Sequence, residues 1–317
     1  PAVAALFYGL KPAVLIIVIE ALLRVGKRAL KKSSAAAVAA LAFLALFVAG
    51  IPFPAVIAAA ALWGYAETSA KPEGAGPPPE APPLSRSLRT IATWLLIWAA
   101  PVTIIFAALG PDHVLAELAI FFSKLAVVTF GGAYAVLAYM AQQAVEQHHW
   151  LSAREMLDAL GLAETTPGPL ILVTEFVGFI AGYRAMGGLA GGMLGALVTL
   201  WVTFAPCFLW IFAGAPYIEL LRQRPRLSSA LAAITAAVVG VIANLALWFA
   251  LHVIFTAQTA VEAPFGRKLI FPVPASLDIT ALVLTALAAL LLFRTRLGLL
   301  GTLGVTALAG AAVKLAF

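Results

Sequence analysis

Long apolar segments separated by short polar ones make up most of this chain of 317 residues. Hydrophobic residues form 63% of it and charged residues only 11%, whereas roughly a quarter of a typical soluble domain is charged. Because so few charges cannot cover a water-exposed surface, the composition argues against a soluble enzyme, a nucleic-acid-binding domain and a disordered protein. A multi-pass protein embedded in the lipid bilayer remains.

A membrane-spanning helix needs about 20 mostly apolar residues. We therefore predict an all-α integral membrane protein with about ten transmembrane helices. The predicted segments are 2–23, 34–49, 51–66, 89–109, 116–141, 168–183, 187–213, 227–256, 276–293 and 297–316. The sequence leaves open whether 168–183 spans the bilayer or re-enters on the same side.

The lysines and arginines predict an orientation, since basic loops stay in the cytoplasm. If the basic cluster at 24–32 is cytoplasmic and every segment crosses once, 14 of the 20 basic residues lie inside. Arg154 and the arginines of 222–226 and 294–296 are among them. Residues 257–275 then lie outside.

Segment 67–88 differs from its surroundings, because it holds six of the 20 prolines and has no apolar periodicity. It is typical of an extended, solvated linker on the cytoplasmic side. We expect it to divide the chain into the end of an N-terminal half at 1–66, a connecting helix at 89–109 and a C-terminal half at 116–317.

Segments 2–64 and 227–310 share one order, a long helix followed by a pair of shorter helices. The crossing count gives them opposite directions, which predicts two inverted repeats. The second repeat begins near residue 116, and the first has no counterpart to the region before the long helix. We expect the first repeat to be incomplete and to lack roughly three helices, unless a partner chain supplies them.

The segment FFSKLAVVTFGGAYAVLAYMAQQ holds the first candidate site residue, Lys124. An ionisable residue inside a membrane helix is typical of a functional site. The alternative is a lysine that reaches to the outer interface. Further along, Gly131 and Gly132 indicate either a helix break with free N–H groups or a close helix crossing.

A second candidate is the run Thr165-Thr166-Pro167-Gly168-Pro169, which directly precedes an apolar helix. Threonine caps helices, proline suits a first turn, and glycine allows a close approach to the backbone. The N-terminus of the following helix would attract an anion, as broken helices do in membrane carriers. An ordinary loop is the alternative.

Glu164 and Glu175 flank this break and are candidates to carry a coupling proton, since burial favours the protonated form of a carboxyl group. Glu175 pairing with Lys124 or facing water is the alternative. No pattern of a hydrolase triad, a zinc protease, a P-loop or a dinucleotide fold is present. The sequence thus predicts no enzyme, metal or cofactor, and leaves an ion-coupled carrier or a channel.

The run TFGGAYAVLAYMAQQAVEQHHWLSAREMLDALGLAETTPGPLILVTEFVGFIAG resembles the C-terminal half of the chromate ion transporter family. The run LFYGLKPAVLIIVIEALLRVGKRAL resembles the end of that family's N-terminal half. The resemblance covers most of the chain. It implies a multi-pass protein of the bacterial inner membrane with two homologous halves of opposite orientation, which exports chromate.

The resemblance also implies which residues bind the oxyanion. They are Phe130, Gly131, Gly132 and Tyr134 in the first motif and Pro167, Gly168 and Pro169 in the second, with Lys124 ahead of the first. The hydroxyls of Thr165 and Thr166 would add donors. Long-chain members carry related motifs in the N-terminal half as well, and those motifs are absent from this sequence.

These features predict a chromate efflux carrier that works by alternating access, driven by the proton motive force or by counter-anion exchange. Sulfate presents nearly the same oxygens as chromate, so we expect only modest discrimination between them. A sulfate-type oxyanion permease and a non-transporting membrane subunit that needs a partner are the alternatives. The expected partners are the oxyanion and the bilayer, not nucleic acid, and a homodimer is left open.

Overall fold

A computed structural model describes residues 2–67, 83–128, 133–165, 170–217, 224–263 and 267–316. This part of the chain is mostly α-helical, as the apolar segments predict. An antiparallel hairpin of β1 (Gln258–Ala263) and β2 (Arg267–Pro272) departs from the all-α expectation. In the sequence it lies between two predicted membrane segments.

The helices follow one another along the chain with short connections. They are α1 (Ala2–Ala29), α2 (Ser33–Phe47), α3 (Phe53–Glu67), α4 (Leu84–Leu109), α5 (Val114–Val128), α6 (Ala133–Gln142), α7 (Ala153–Thr165), α8 (Val173–Met186), α9 (Gly188–Gly214), α10 (Pro225–Ile254), α11 (Ile279–Arg294) and α12 (Gly298–Ala316). A π-helical turn, Gln143–Gln147, directly continues α6.

Within the described ranges, five helices are long and apolar enough to cross a bilayer: α1, α4, α9, α10 and α12. Three more, α2, α3 and α11, are apolar but shorter. The class of a helical multi-pass membrane protein is therefore confirmed. The number of ten spans and the inverted relation of the repeats remain predictions.

Within the predicted segment 116–141, the structure describes α5 up to Val128 and α6 from Ala133. The four residues between them lie outside the described part of the chain. The predicted linker is also shorter than expected at its end, since α4 begins at Leu84. The rest of the linker, 68–82, lies outside the described residues.

The chain forms two compact units, each assembled from segments that are distant in sequence. The first unit comprises 1–57, 133–171 and 235–317, and the second comprises 58–132 and 172–234.

Helix α1 forms the centre of the first unit, where it packs against α7, α11 and α12. Its residues 13–18 are almost fully buried. Gly9 lies where α1 meets α12, and a Cβ atom there would collide with the carbonyl oxygen of Thr306. Glycine therefore lets these two helices approach at backbone distance, as small residues do in membrane proteins.

The second unit is built on the pair of α8 and α9, joined by Gly187 and Gly188, whose φ angles are 73° and 79°. Along this pair Gly182 faces Gly191, and Gly178 faces Gly195. Helix α8 has 14 residues and is about 21 Å long, less than the roughly 30 Å of the hydrocarbon core.

Candidate functional site

A hydrogen bond joins Tyr134, a residue of the first predicted motif, to Glu164, which lies shortly before the second. The Tyr134 hydroxyl donates to Glu164 Oε1 at 3.0 Å. Tyr134 lies in the first turn of α6, two residues after Gly132, and Glu164 lies in the last turn of α7, two residues before Thr166. The start of the described part of α6 and the end of α7 therefore lie within hydrogen-bonding distance of each other.

Most of the motif residues themselves lie outside the described part of the chain. They are Phe130, Gly131, Gly132, Thr166, Pro167, Gly168 and Pro169. Thr165 is the last residue of α7, and its side chain is likewise outside the description. The binding role of all eight remains a prediction.

The return of the chain depends on the start of α7, where the sequence Ser-Ala-Arg-Glu forms a capping box. The backbone N–H of Glu155 donates to Ser152 Oγ at 3.3 Å, and the backbone N–H of Ser152 donates to Glu155 Oε2 at 2.9 Å. Just before it, His149 adopts a positive φ of 52°.

An ion pair attaches α7 to α1, with Lys11 Nζ 2.9 Å from Asp158 Oδ1. On the same face of α7, Gly161 lies against Val14 and Leu10 of α1. Since α7 packs along the buried helix α1, the position of Glu164 at its end is fixed by contacts elsewhere on the helix. The ion pair was not predicted, although a lysine inside an apolar helix calls for a partner.

The charges around the Tyr134–Glu164 contact come from one turn of α1. There Arg24 Nε donates to Glu20 Oε1 at 3.0 Å, and both side chains act electrostatically on Tyr134. Burial raises the pKa of the Glu164 carboxyl group, and the negative charge of Glu20 raises it further, while the hydrogen bond from Tyr134 opposes both. Glu164 therefore holds a proton more readily than a free glutamate.

Lys124 and Glu175 belong to the second unit. Lys124 is exposed on α5, and Glu175 is half-buried in the first turn of α8. Both residues are described, and no ion pair connects them. The alternative in which Glu175 pairs with Lys124 is therefore not observed, and the roles of both residues remain predictions.

Comparison with known proteins places the chain among transporters. The family described as "Chromate transporter" matches residues 116–313, more than half of the chain. No solved structure matches.

Three curated relatives are similar to this chain. It is 30% identical over 149 residues to the chromate transport protein of Cupriavidus metallidurans, a match that covers 47% of this chain and 35% of that protein. It is 31% identical over 146 residues to a probable chromate transport protein of Synechococcus elongatus (45% and 35%). It is also 31% identical over 154 residues to the chromate transport protein of Pseudomonas aeruginosa (48% and 34%).

Each match thus spans about a third of the relative's length. The family match includes Lys124, both motifs and the two residues of the Tyr134–Glu164 hydrogen bond. The chain belongs to the chromate transporter family.

Proposed function

We propose that the chain is part of a secondary transporter that exports chromate across a bacterial inner membrane by alternating access. The observation that carries this proposal is the hydrogen bond from Tyr134 to Glu164 in the first unit, which joins a residue of the first motif to a residue in the last turn of α7, three positions before Pro167. Relatives whose names state chromate transport support the substrate.

The chemistry around this contact suits a tetrahedral dianion. Residues 129–132, directly before the described part of α6, lie outside the description; a helix break at the glycine pair there is part of the proposal, and its free N–H groups would favour an anion. The Tyr134 hydroxyl is a further donor, and the positive charge of Arg24 acts at the same place. Backbone groups of the second motif are also proposed donors, and Lys124, in the second unit, is a separate candidate to contact the oxyanion.

Glu164 supplies a mechanism for coupling the oxyanion to a proton. The ionised carboxylate accepts a charge-assisted hydrogen bond from Tyr134 and repels a dianion, whereas the protonated carboxyl group is a weaker acceptor and carries no charge. Its raised pKa brings the two forms closer together in energy. Glu175, half-buried at the start of α8, is the second candidate for this proton.

The proposal is tested by chromate accumulation in cells that express the protein. Tyr134→Phe removes one donor from the contact, and Lys124→Ala removes a positive charge, so we expect both variants to lose the lowering of cellular chromate. Tyr183→Phe is a matched control because its ring stacks on Phe179 at 6.0 Å and needs no hydroxyl. Lys27→Ala, an exposed lysine of α1, is the control for Lys124.

Unchanged export in a variant that is present in the membrane at the normal amount would contradict the role of the substituted residue. If the unaltered protein does not change chromate accumulation but raises uptake of sulfate, the protein is an oxyanion permease instead. Failure of the purified protein to bind chromate, sulfate or molybdate would indicate a membrane subunit that needs a partner.

A further inference from the structure

A cavity of about 60 Å³ lies in the first unit at the far end of α6 from the Tyr134–Glu164 contact. Tyr134 is in the first turn of α6, and Gln142, the last residue of that helix, lines the cavity. A ten-residue helix separates its two ends by about 15 Å. The cavity is therefore distinct from the proposed oxyanion site.

The lining of the cavity is apolar except for four side chains, those of Gln142, Glu146, Asn244 and Trp248. Glu146 belongs to the π-helical turn, in which the His148 N–H donates to Gln143 O at 2.9 Å. Such turns hold one residue more than an α-helical turn and are frequent at functional sites. Here the turn leaves Glu146 Oε2 3.3 Å from the amide nitrogen of Gln142.

The indole N–H of Trp248 is buried and has no hydrogen-bond partner in the protein. A buried donor almost always has an acceptor, and the apolar neighbours of Trp248 offer none. A cavity needs about 10–15 Å³ to hold one water molecule, so this one has room for more than one. Asn244, Gln142 and Glu146 provide the further partners that a bound water requires.

The charge of the side chains that line the cavity disfavours an anionic ligand. Glu146 is the ionisable side chain among the lining residues, and α2 and β2 contribute the apolar Phe47, Leu269 and Ile270. Because no lysine or arginine lines the described cavity, a dianion would meet an uncompensated carboxylate. A proton carried by water has no such cost.

His252 provides a second titratable group beside Glu146. Its ring lies 4.2 Å from that of Trp248, and its Nδ1 is 2.8 Å from the Trp248 carbonyl oxygen. With Nδ1 donating to that carbonyl, Nε2 is the nitrogen that can exchange a proton. The carboxylate of Glu146 acts electrostatically on this ring.

We propose that this cavity is a hydrated proton-binding site, in which Glu146 takes up and releases a proton through water. In the step, a carboxylate oxygen of Glu146 gains a proton from a hydronium ion, which leaves as water. The inference rests on the proposed function in one respect, since it adds Glu146 to Glu164 and Glu175 as a third position at which a proton coupled to oxyanion transport can bind.

Proton binding is tested without any transport, by infrared difference spectroscopy of the purified protein during a pH titration. We expect a C=O stretch of a protonated carboxyl group that is lost in Glu146→Gln and returns in Glu146→Asp. Asp112→Asn, which alters an exposed carboxylate in a loop, should retain that band. An unchanged carboxyl band in Glu146→Gln would overturn the proposal.

Coupling is tested in proteoliposomes by comparing chromate uptake with and without a pH gradient. We expect Glu146→Gln to lose the stimulation by the gradient, while exchange of labelled for unlabelled chromate across the membrane continues. Equal stimulation in this variant and in the unaltered protein would contradict the coupling role. If the unaltered protein carries no oxyanion at all, the proposed function fails, and the infrared titration still decides whether Glu146 binds a proton.

Discussion

At the scale of single residues, the ion pair of Lys11 and Asp158 shows how an apolar helix accommodates a charge. The two side chains are only 15% and 27% exposed, with Nζ and Oδ1 2.9 Å apart. Removing one member of such a pair leaves a buried charge without compensation, which costs more than removing both. The pair therefore constrains α1 and α7 together.

We expect Lys11→Met to destabilise the protein by about 3 kcal/mol, and the double variant Lys11→Met/Asp158→Leu to recover a large part of that loss. Thermal unfolding in detergent measures both. Arg24→Met is the matched control on the same helix, because its pair with Glu20 leaves Arg24 62% exposed and is worth about 0.5 kcal/mol or less. Equal losses of stability in Lys11→Met and Arg24→Met would show that the buried Lys11–Asp158 pair contributes no more than the exposed Arg24–Glu20 pair.

The same residues show what could be predicted from the sequence. Tyr134 was a candidate through the family resemblance, and Glu164 was one because it flanks the proline-rich break. Their contact could not be predicted, since it depends on the 30-residue return of the chain through the π-helical turn and α7. Lys11 was visible as a charge in an apolar helix, but nothing in the sequence selects Asp158 as its partner.

At the scale of elements, the glycines of α8 and α9 determine how closely these two helices pack. Glycines four residues apart on each helix, 178 and 182 on α8 and 191 and 195 on α9, lie at the contact. In a bilayer, where lipid is as apolar as the helices, such close backbone contact is a main source of helix association.

We expect Gly182→Ala to destabilise the protein by about 1–3 kcal/mol, because the new Cβ atom would overlap the carbonyl oxygen of Gly191. Gly304→Ala in α12 is the control, since no atom lies within 4 Å of its added Cβ. That change should be neutral or slightly stabilising. Thermal unfolding of the two variants side by side measures the difference, and a stable Gly182→Ala variant would mean that α8 and α9 can separate without cost.

The existence of helices was predictable from the apolar runs, as α5 and α6 within the predicted segment 116–141 show. The β-hairpin was missed, because its two short strands lie between long apolar segments that dominate the hydropathy. On β1, the β-branched residues Thr259 and Val261 stand two positions apart, and a Pro-Phe-Gly sequence precedes β2. This pattern favours a hairpin.

At the scale of the whole molecule, the two units do not follow the order of the chain. The first unit combines the start of the sequence, the α6–α7 region and about the last quarter. Periodicity and charge describe local segments, whereas this assembly depends on contacts between segments far apart in sequence. Hydropathy alone therefore predicts a membrane protein but not how its segments combine.

The orientation predicted from the basic residues can be measured with single cysteines. Cys207 is the one cysteine of the sequence, so Cys207→Ser gives an unreactive background. We expect Thr259→Cys, exposed on the β-hairpin, to react with a membrane-impermeant maleimide in intact cells. Lys27→Cys, exposed near the end of α1, should react only after permeabilisation. The reverse pattern would invert the predicted topology.

Helix α10 has 30 residues and is about 45 Å long, while the hydrocarbon core of a bilayer measures about 30 Å. Such an excess is relieved when the helix tilts, when its ends extend into the headgroups, or when the surrounding lipid thickens. Each response has an energy that depends on acyl-chain length. The thickness of the host membrane therefore changes the energy of this protein through α10, the longest helix in the described part of the chain.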